Sequence, residues 1–473
     1  ADIQQGSRLM SFDLVIRGDL VLPEEMLRDG YIAVMAGHIA AIGAGPLPPA
    51  RETVDARGRL VFPGVIDGQV HAGSAEGFGG LEDLTRSAAA GGVTTVVDMP
   101  YDEPEPVVDC DLLARKIEVL EAKAHVDVAL YGTVAKQVDV AMIGRLADAG
   151  VAAFKISTYE SHPKRFPRIS HPEMERAFRA IAETGLTVAV HNEDQELVDD
   201  SIARAKAAGR LRADVHSAAR PPLAELVANA VLLEIGAATG ARVHIVHSSL
   251  ARGFDMARSY RAQGFAATAE TCIHYLILTE ADVIRAGARG KVNPPIRPNE
   301  REAIWHRLIE GEVAFVSSDH CSWPLARKND ENIFATPAGA PGVAVLLPLL
   351  YTAAVEQRGL APQVVARLLA EAPARHFGLH PQKGSIRIGA DADFAIAERG
   401  SWKIDEARQH SERAPWSPYH GLPVSLRIAA TYLRGRKIFD GEQVIARPGD
   451  GRFLRPGGAP RRAEPQARAR ARA

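Results

Sequence analysis

Apolar and polar positions along this chain follow two different rhythms. Through the middle one phrase recurs: an Ala/Leu-rich stretch with helical spacing, a glycine, then a short β-branched run. It reads "SAAAGGVTTVVDMP" (87–100), "RLADAGVAAFKIS" (145–157), "AIAETGLTVAVHNE" (180–193) and "IGAATGARVHIVHSS" (235–249), and continues in "YRAQGFAATAETC" (260–272) and "RLIEGEVAFVSSDH" (307–320). The glycine sits where a helix C-terminus takes the left-handed conformation, and the run after it has the near-continuous apolar character of a buried strand. With "LVFPGVIDGQVH" (60–71) and "HVDVALYGTV" (125–134) the phrases predict eight strands alternating with helices. Such alternation implies a parallel sheet covered by helices, and eight units fit a closed (β/α)8 TIM barrel. A doubly wound open sheet satisfies the same pattern.

The second rhythm is strict alternation with glycine turns. It occupies residues 11–60, in "FDLVIRGDLVLP" and "YIAVMAGHIAAIG", and returns in "KGSIRIGADADFAIAE" (383–398) and "RIAATYLRGRKIFDG" (427–441). Half-buried strands of a small sheet read this way. The predicted organisation is a composite β-sandwich domain from 11–62 and 384–450, around a barrel spanning 63–383. Residues 1–9 precede Met10 and read as an addition outside the fold. Residues 451–473, ending "PGGAPRRAEPQARARARA", read as a mostly disordered tail.

Composition changes this picture little. The chain of 473 residues carries a net charge of −2 and 46% hydrophobic residues, which favours neither nucleic acid nor a membrane surface. No uninterrupted apolar run reaches the roughly 18 residues of a membrane span. Three scattered cysteines, Cys110, Cys272 and Cys321, do not form a disulfide framework, so the expected compartment is the cytoplasm.

Candidate chemistry gathers at the strand ends. Gln69 and His71, Lys155, His191, His247 and Asp319 each stand where an apolar run stops. A lone histidine in such a place is most often a satisfied core residue. Five strand ends carrying ligand-type side chains on the face where these barrels keep their catalytic groups form a site.

At this point the chain resembles the cyclic amidohydrolases of the amidohydrolase superfamily, the hydantoinase, dihydropyrimidinase, allantoinase and dihydroorotase group. The resemblance rests on "PGVIDGQVH", "AAAGGVTTVVDMP", "FKIS", "VAVHNE", "VHIVHSS", "ETCIHYL", "KVNPPIR", "SSDHCSW" and "KGSIRIGADAD", in family order over roughly residues 12–440. It implies two divalent metals, commonly zinc. His71 and Asp319 would serve one, and His191 and His247 the other, with a carboxylated Lys155 bridging them. It further implies hydrolysis of a cyclic amide by a metal-activated water with Asp319 as general base, Tyr159 and Asn293 holding the ring, and a homo-oligomer, dimer or tetramer.

Gln69 departs from that pattern, because the family has histidine there. An amide oxygen is a weak donor to zinc beside imidazole. One tight and one weak metal position is therefore expected. "HAGSAEGF" and "DMPYDEPEP" place Glu76 and Asp102, with no arginine, where dihydroorotases clamp a carboxylate, so a neutral ureide or imide ring is expected. The lost ligand also admits a non-catalytic scaffold of the same fold. A ring-amidine deaminase is a weaker reading, because deaminases of the superfamily usually lack the bridging lysine.

Overall fold

The computed structural model describes residues 11–457 except Glu76 and residues 329–330. Parallel pairing passes from Val65–His71 through Val93–Asp98, Asp127–Gly132, Ala153–Ser157, Thr187–His191 and Arg242–Ile245 to Ala267–Ala269. At the other edge His320–Cys321 pairs back onto Val65–His71, and Thr271–Cys272 pairs with Val316–Ser317 between those ends. The sheet thus curls into a TIM barrel, with helices on the outside between successive strands. Ile66, Val97, Ala129, Tyr131, Ala153, Ala189, Val246 and Phe315 belong to one buried cluster contributed by successive strands.

The glycines of the repeated phrase behave as their position demands. Gly185 and Gly240 close helices His171–Thr184 and Pro222–Thr239 at φ 74° and 72°, in the left-handed region. The last two staves are more broken than the apolar runs predict. Each splits into two short pieces, and in the second Asp319 sits between the pieces at φ 51°, which interrupts the ladder.

The flanks join in one mixed sheet of seven strands. Its order is Arg436–Phe439, Pro423–Leu433, Phe394–Lys403, Ala50–Pro63, Phe12–Val21, Met26–Met35 and His38–Ala44. The antiparallel contact of Ala50–Pro63 with Phe394–Lys403 brings the two ends of the chain together. Gly64 carries the chain from this sheet into the first barrel strand, and a Cβ there would lie 2.1 Å from Thr94 Oγ1, so only glycine fits.

A buried charge cluster fastens sheet to barrel at the end opposite the candidate site. Lys383 Nζ lies 2.6, 2.9 and 2.7 Å from Asp127, Asp391 and Asp393. Asp127 starts a barrel strand, and the other two precede Phe394–Lys403. Removing the ammonium leaves these carboxylates crowded without it. Lys383→Met should therefore lower unfolding stability by about 3–5 kcal/mol, read as a lower urea midpoint at unchanged slope.

Two expectations are adjusted. Within the segment expected as a mostly disordered tail from residue 451, the backbone pairs with the barrel: Val128 N–H donates to Arg452 O at 2.9 Å and Leu454 N–H donates to Val128 O at 2.8 Å. Residues 458–473 lie outside the described residues. Truncation after Gly457 should leave melting temperature and turnover unchanged, as a composition without large apolar groups has nothing to bury. The helical stretch 213–239 is long and apolar enough by composition to cross a membrane, although no single apolar run within it reveals this. Its Leu232 and Leu233 are buried in the main core, and its buried Glu225 pairs with Arg297.

Candidate functional site

Strand ends, and for Asn293 the connection before helix Arg301–Ile309, deliver every candidate residue but Gln69 to one cleft of about 590 Å³, lined by His71, Lys155, Tyr159, His191, His247, Asn293 and Asp319. Gln69 is fully buried just behind it and donates from Nε2 to Asp319 Oδ1 at 2.9 Å. His71 Nε2 approaches the same carboxylate oxygen at 3.2 Å. Two of these residues hold unusual backbone: His247 at φ 39° and Asp319 at φ 51° are non-glycine residues in the left-handed region. Strain of this kind is retained where surrounding structure requires the side chain at one point.

The donor set fits a divalent cation. His191 Nδ1 and His247 Nε2 face each other at 3.1 Å, close to the roughly 3.3 Å separating two imidazole nitrogens on one tetrahedral zinc ion. The other face of His191 is fixed. Its Nε2 lies 3.0 Å from Glu193 Oε2, and Arg220 Nε donates to Glu193 Oε1 at 2.8 Å. Burial alone would raise the Glu193 carboxyl, but Arg220 and His191 together outweigh it and hold the group well below the usual range. The ionised carboxylate places the imidazole proton on Nε2 and leaves the Nδ1 lone pair free to bind a cation. Burial lowers the pKa of both His191 and His247, which favours the neutral, ligating form.

Lys155 is 1% exposed. Burial pulls its amine down to about 8 against the opposing pull of Asp319 and Glu270. Asp319 stays below the ordinary aspartate value: burial pushes it up, and the hydrogen bond and charge of His71 more than reverse that.

Several residues of the site escaped the sequence reading. Glu193 stands two residues after His191 in "VHNE", a spacing that could have flagged it, whereas Arg220 comes from a distant segment with no local signal. Tyr101 stacks on His71 with ring centroids 6.4 Å apart, and Phe166 packs against both Tyr101 and His191. The expected acidic lining is corrected. Asp102 is buried and paired at 2.7 Å with Lys116, which it shares with Asp98, and Glu76 lies outside the described residues. Arginine does reach the cleft, from other segments: Arg165 is bonded to Ser74 O and Glu103, Arg220 to Glu193, and Arg327 lies over the Trp323 ring, 4.6 Å from its centroid. Arg220 also lies over the Tyr159 ring, 4.5 Å from its centroid. Asn293 Oδ1 is buried without a hydrogen-bond partner among the described residues.

Comparisons with known proteins agree with this geometry. The model of the amidohydrolase family matches residues 60–438. The allantoinase of Rubrobacter xylanophilus is 36% identical over 455 residues, covering 95% of this chain and 98% of that protein. The allantoinase of Escherichia coli K12 is 32% identical over 453 residues, covering 94% and 99%. Among solved structures, the L-hydantoinase (dihydropyrimidinase) from Arthrobacter aurescens superposes with a TM-score of 0.89 at 29% identity, covering 94% of this chain and all of that one. A D-hydantoinase gives 0.87 at 30%, covering 93% and 98%.

Proposed function

We propose, for a chain that belongs to the amidohydrolase family and is a cyclic amide hydrolase, that it opens a neutral ureide or imide ring of the hydantoin, dihydropyrimidine or allantoin type. The observation that carries the reading is the convergence of His191 Nδ1 and His247 Nε2 at 3.1 Å beside a buried, pKa-lowered Lys155. Divalent metals are general to the family, and zinc suits a donor set of imidazoles and carboxylate. His191 and His247 would hold one ion and His71 with Asp319 the other, with Lys155 as a carbamate between them. An ion bound there lowers the pKa of water toward neutrality and polarises the ring carbonyl.

The remaining work belongs to side chains of this chain. Asp319, held ionised by His71, accepts the proton of the attacking water and returns it to the leaving ring nitrogen. Glu193 and Arg220 hold His191 in its ligating tautomer. Tyr159 and Asn293 border the cleft where the ring is held, and Tyr101 and Phe166 supply its aromatic wall. A neutral ring suits this cleft in that Arg165 and Arg220 are already paired with Glu103 and Glu193 and are not free forks for a substrate carboxylate.

We also infer a small β-domain of sandwich type from 11–62 and 384–450 around the 63–383 barrel, a cytoplasmic location and a homo-oligomeric state. The seven-stranded sheet shared by both flanks supports their forming one small β-unit, and the three free cysteines support the location. The test of function is turnover of hydantoin, dihydrouracil, allantoin and glutarimide by metal-replete protein. Ring opening of at least one, lost on chelation and restored by zinc, is the expected result. No opening of any ring with two metals bound would refute it.

A further inference from the structure

Gln69 leaves one side of the site short of a lone pair. As oriented, its amide N–H points at Asp319 Oδ1, at 2.9 Å, so the side chain presents a donor where a cation needs an acceptor. Its Oε1 is buried with no hydrogen-bond partner among the described residues. His71 leans on the same Oδ1.

Across Asp319, "ETCIHYL" supplies two side chains that the catalytic scheme does not use. Cys272 ends the strand Thr271–Cys272, and His274 lies in the following helix Ile273–Ile277. Ligand atoms of Cys272, His274 and Asp319 lie within 4.8 Å of one another. His274 is 3% exposed, and its Nε2 has no hydrogen-bond partner among the described residues. Cys272 is fully buried, with its Sγ 3.5 Å from Ser317 Oγ. An unpartnered imidazole nitrogen buried beside a carboxylate and a thiol is costly unless something takes its lone pair.

We propose that His274 and Cys272 complete the cation position of Asp319 and His71 in this chain, replacing the ligand that Gln69 cannot supply. The inference rests on the reading of the protein as a metal-dependent hydrolase. With His71 and the Lys155 carbamate, these side chains would give a mixed nitrogen, oxygen and sulfur donor set suited to zinc, cobalt or cadmium. Donors on one ion lie about 3.3–3.8 Å apart, so Cys272, His274 and Asp319, whose ligand atoms lie within 4.8 Å of one another, would close around the ion by side-chain shifts of about an ångström, with His71 on the Asp319 carboxylate at 3.2 Å. The Cys272 thiol loses its proton to solvent as the sulfur–metal bond forms. Gln69 is left to orient Asp319 through its N–H.

The test uses the full chain loaded with cobalt(II) and with zinc. Cobalt-loaded protein should show a thiolate-to-cobalt charge-transfer band, and Cys272→Ser, a one-atom change, should abolish it. His274→Gln should weaken the second zinc equivalent by about 10–100-fold, the size of effect seen when support of a metal site is lost, while the first equivalent stays. Gln69→His added to His274→Gln should restore two equivalents, because an imidazole then returns on the opposite side. A protein that binds one or two ions without the charge-transfer band, and whose metal content is unchanged in both single variants, overturns the inference and leaves the hydrolase reading standing. A protein that binds no ion and opens no ring overturns both. If His274→Gln does not fold, the band and its loss in Cys272→Ser still decide the matter.

Discussion

Replacing Lys155 with alanine should reduce turnover by about three orders of magnitude or more, equivalent to about 4 kcal/mol of lost transition-state stabilisation. The side chain is buried at a strand end, and as the proposed carbamate it would supply the anion between His71/Asp319 and His191/His247. Short carboxylic acids should restore part of the rate in Lys155→Ala, since a free carboxylate can occupy the place of the carbamate. A plain amine in metal-loaded wild-type protein, seen in a density map or by mass, would contradict this account. The pH dependence follows from the amine. Only the neutral form takes up carbon dioxide, and burial sets its pKa at about 8. Below that value the neutral fraction falls about tenfold per pH unit. Reactivation of metal-stripped enzyme at fixed dissolved carbon dioxide should therefore be about half-maximal near pH 8 and about a hundredfold slower at pH 6 than its plateau.

His191→Ala should remove the most tightly held ion and, with it, the activity. Nothing in that position has been substituted: both nitrogens of the pair are aimed inward, and Glu193 and Arg220 fix the ring from behind. Metal analysis should find one equivalent fewer than in wild type, under conditions where Gln69→Ala still retains the tight ion and much of the rate. Glu193→Gln is the graded version. It keeps the shape but exchanges a charged acceptor for a neutral amide, and should weaken the tight ion about 10–100-fold. Unchanged metal affinity in Glu193→Gln would show that packing alone orients His191.

The two rhythms of the chain determined the architecture, because both arise from local geometry. A helix ended by a left-handed glycine and followed by a doubly buried strand is legible from one short window, and Gly185 and Gly240 behave accordingly. The strand-end position of Lys155, His191, His247 and Asp319 was legible for the same reason, since in a parallel barrel all strand ends share one face. What the site does with those residues required the third dimension. The contact between Gln69 and Asp319 joins residues 250 positions apart, and Arg220 reaches Glu193 across 27. Asp102 looked like an acidic wall in its own segment and is in fact buried against Lys116 of a neighbouring helix, which also pairs with Asp98. Neither the direction of an amide, the pairing of a buried charge nor the lowered pKa of a lysine is a property of nearby sequence. Each depends on which groups the closed barrel brings within a few ångströms and on how completely it excludes water from them.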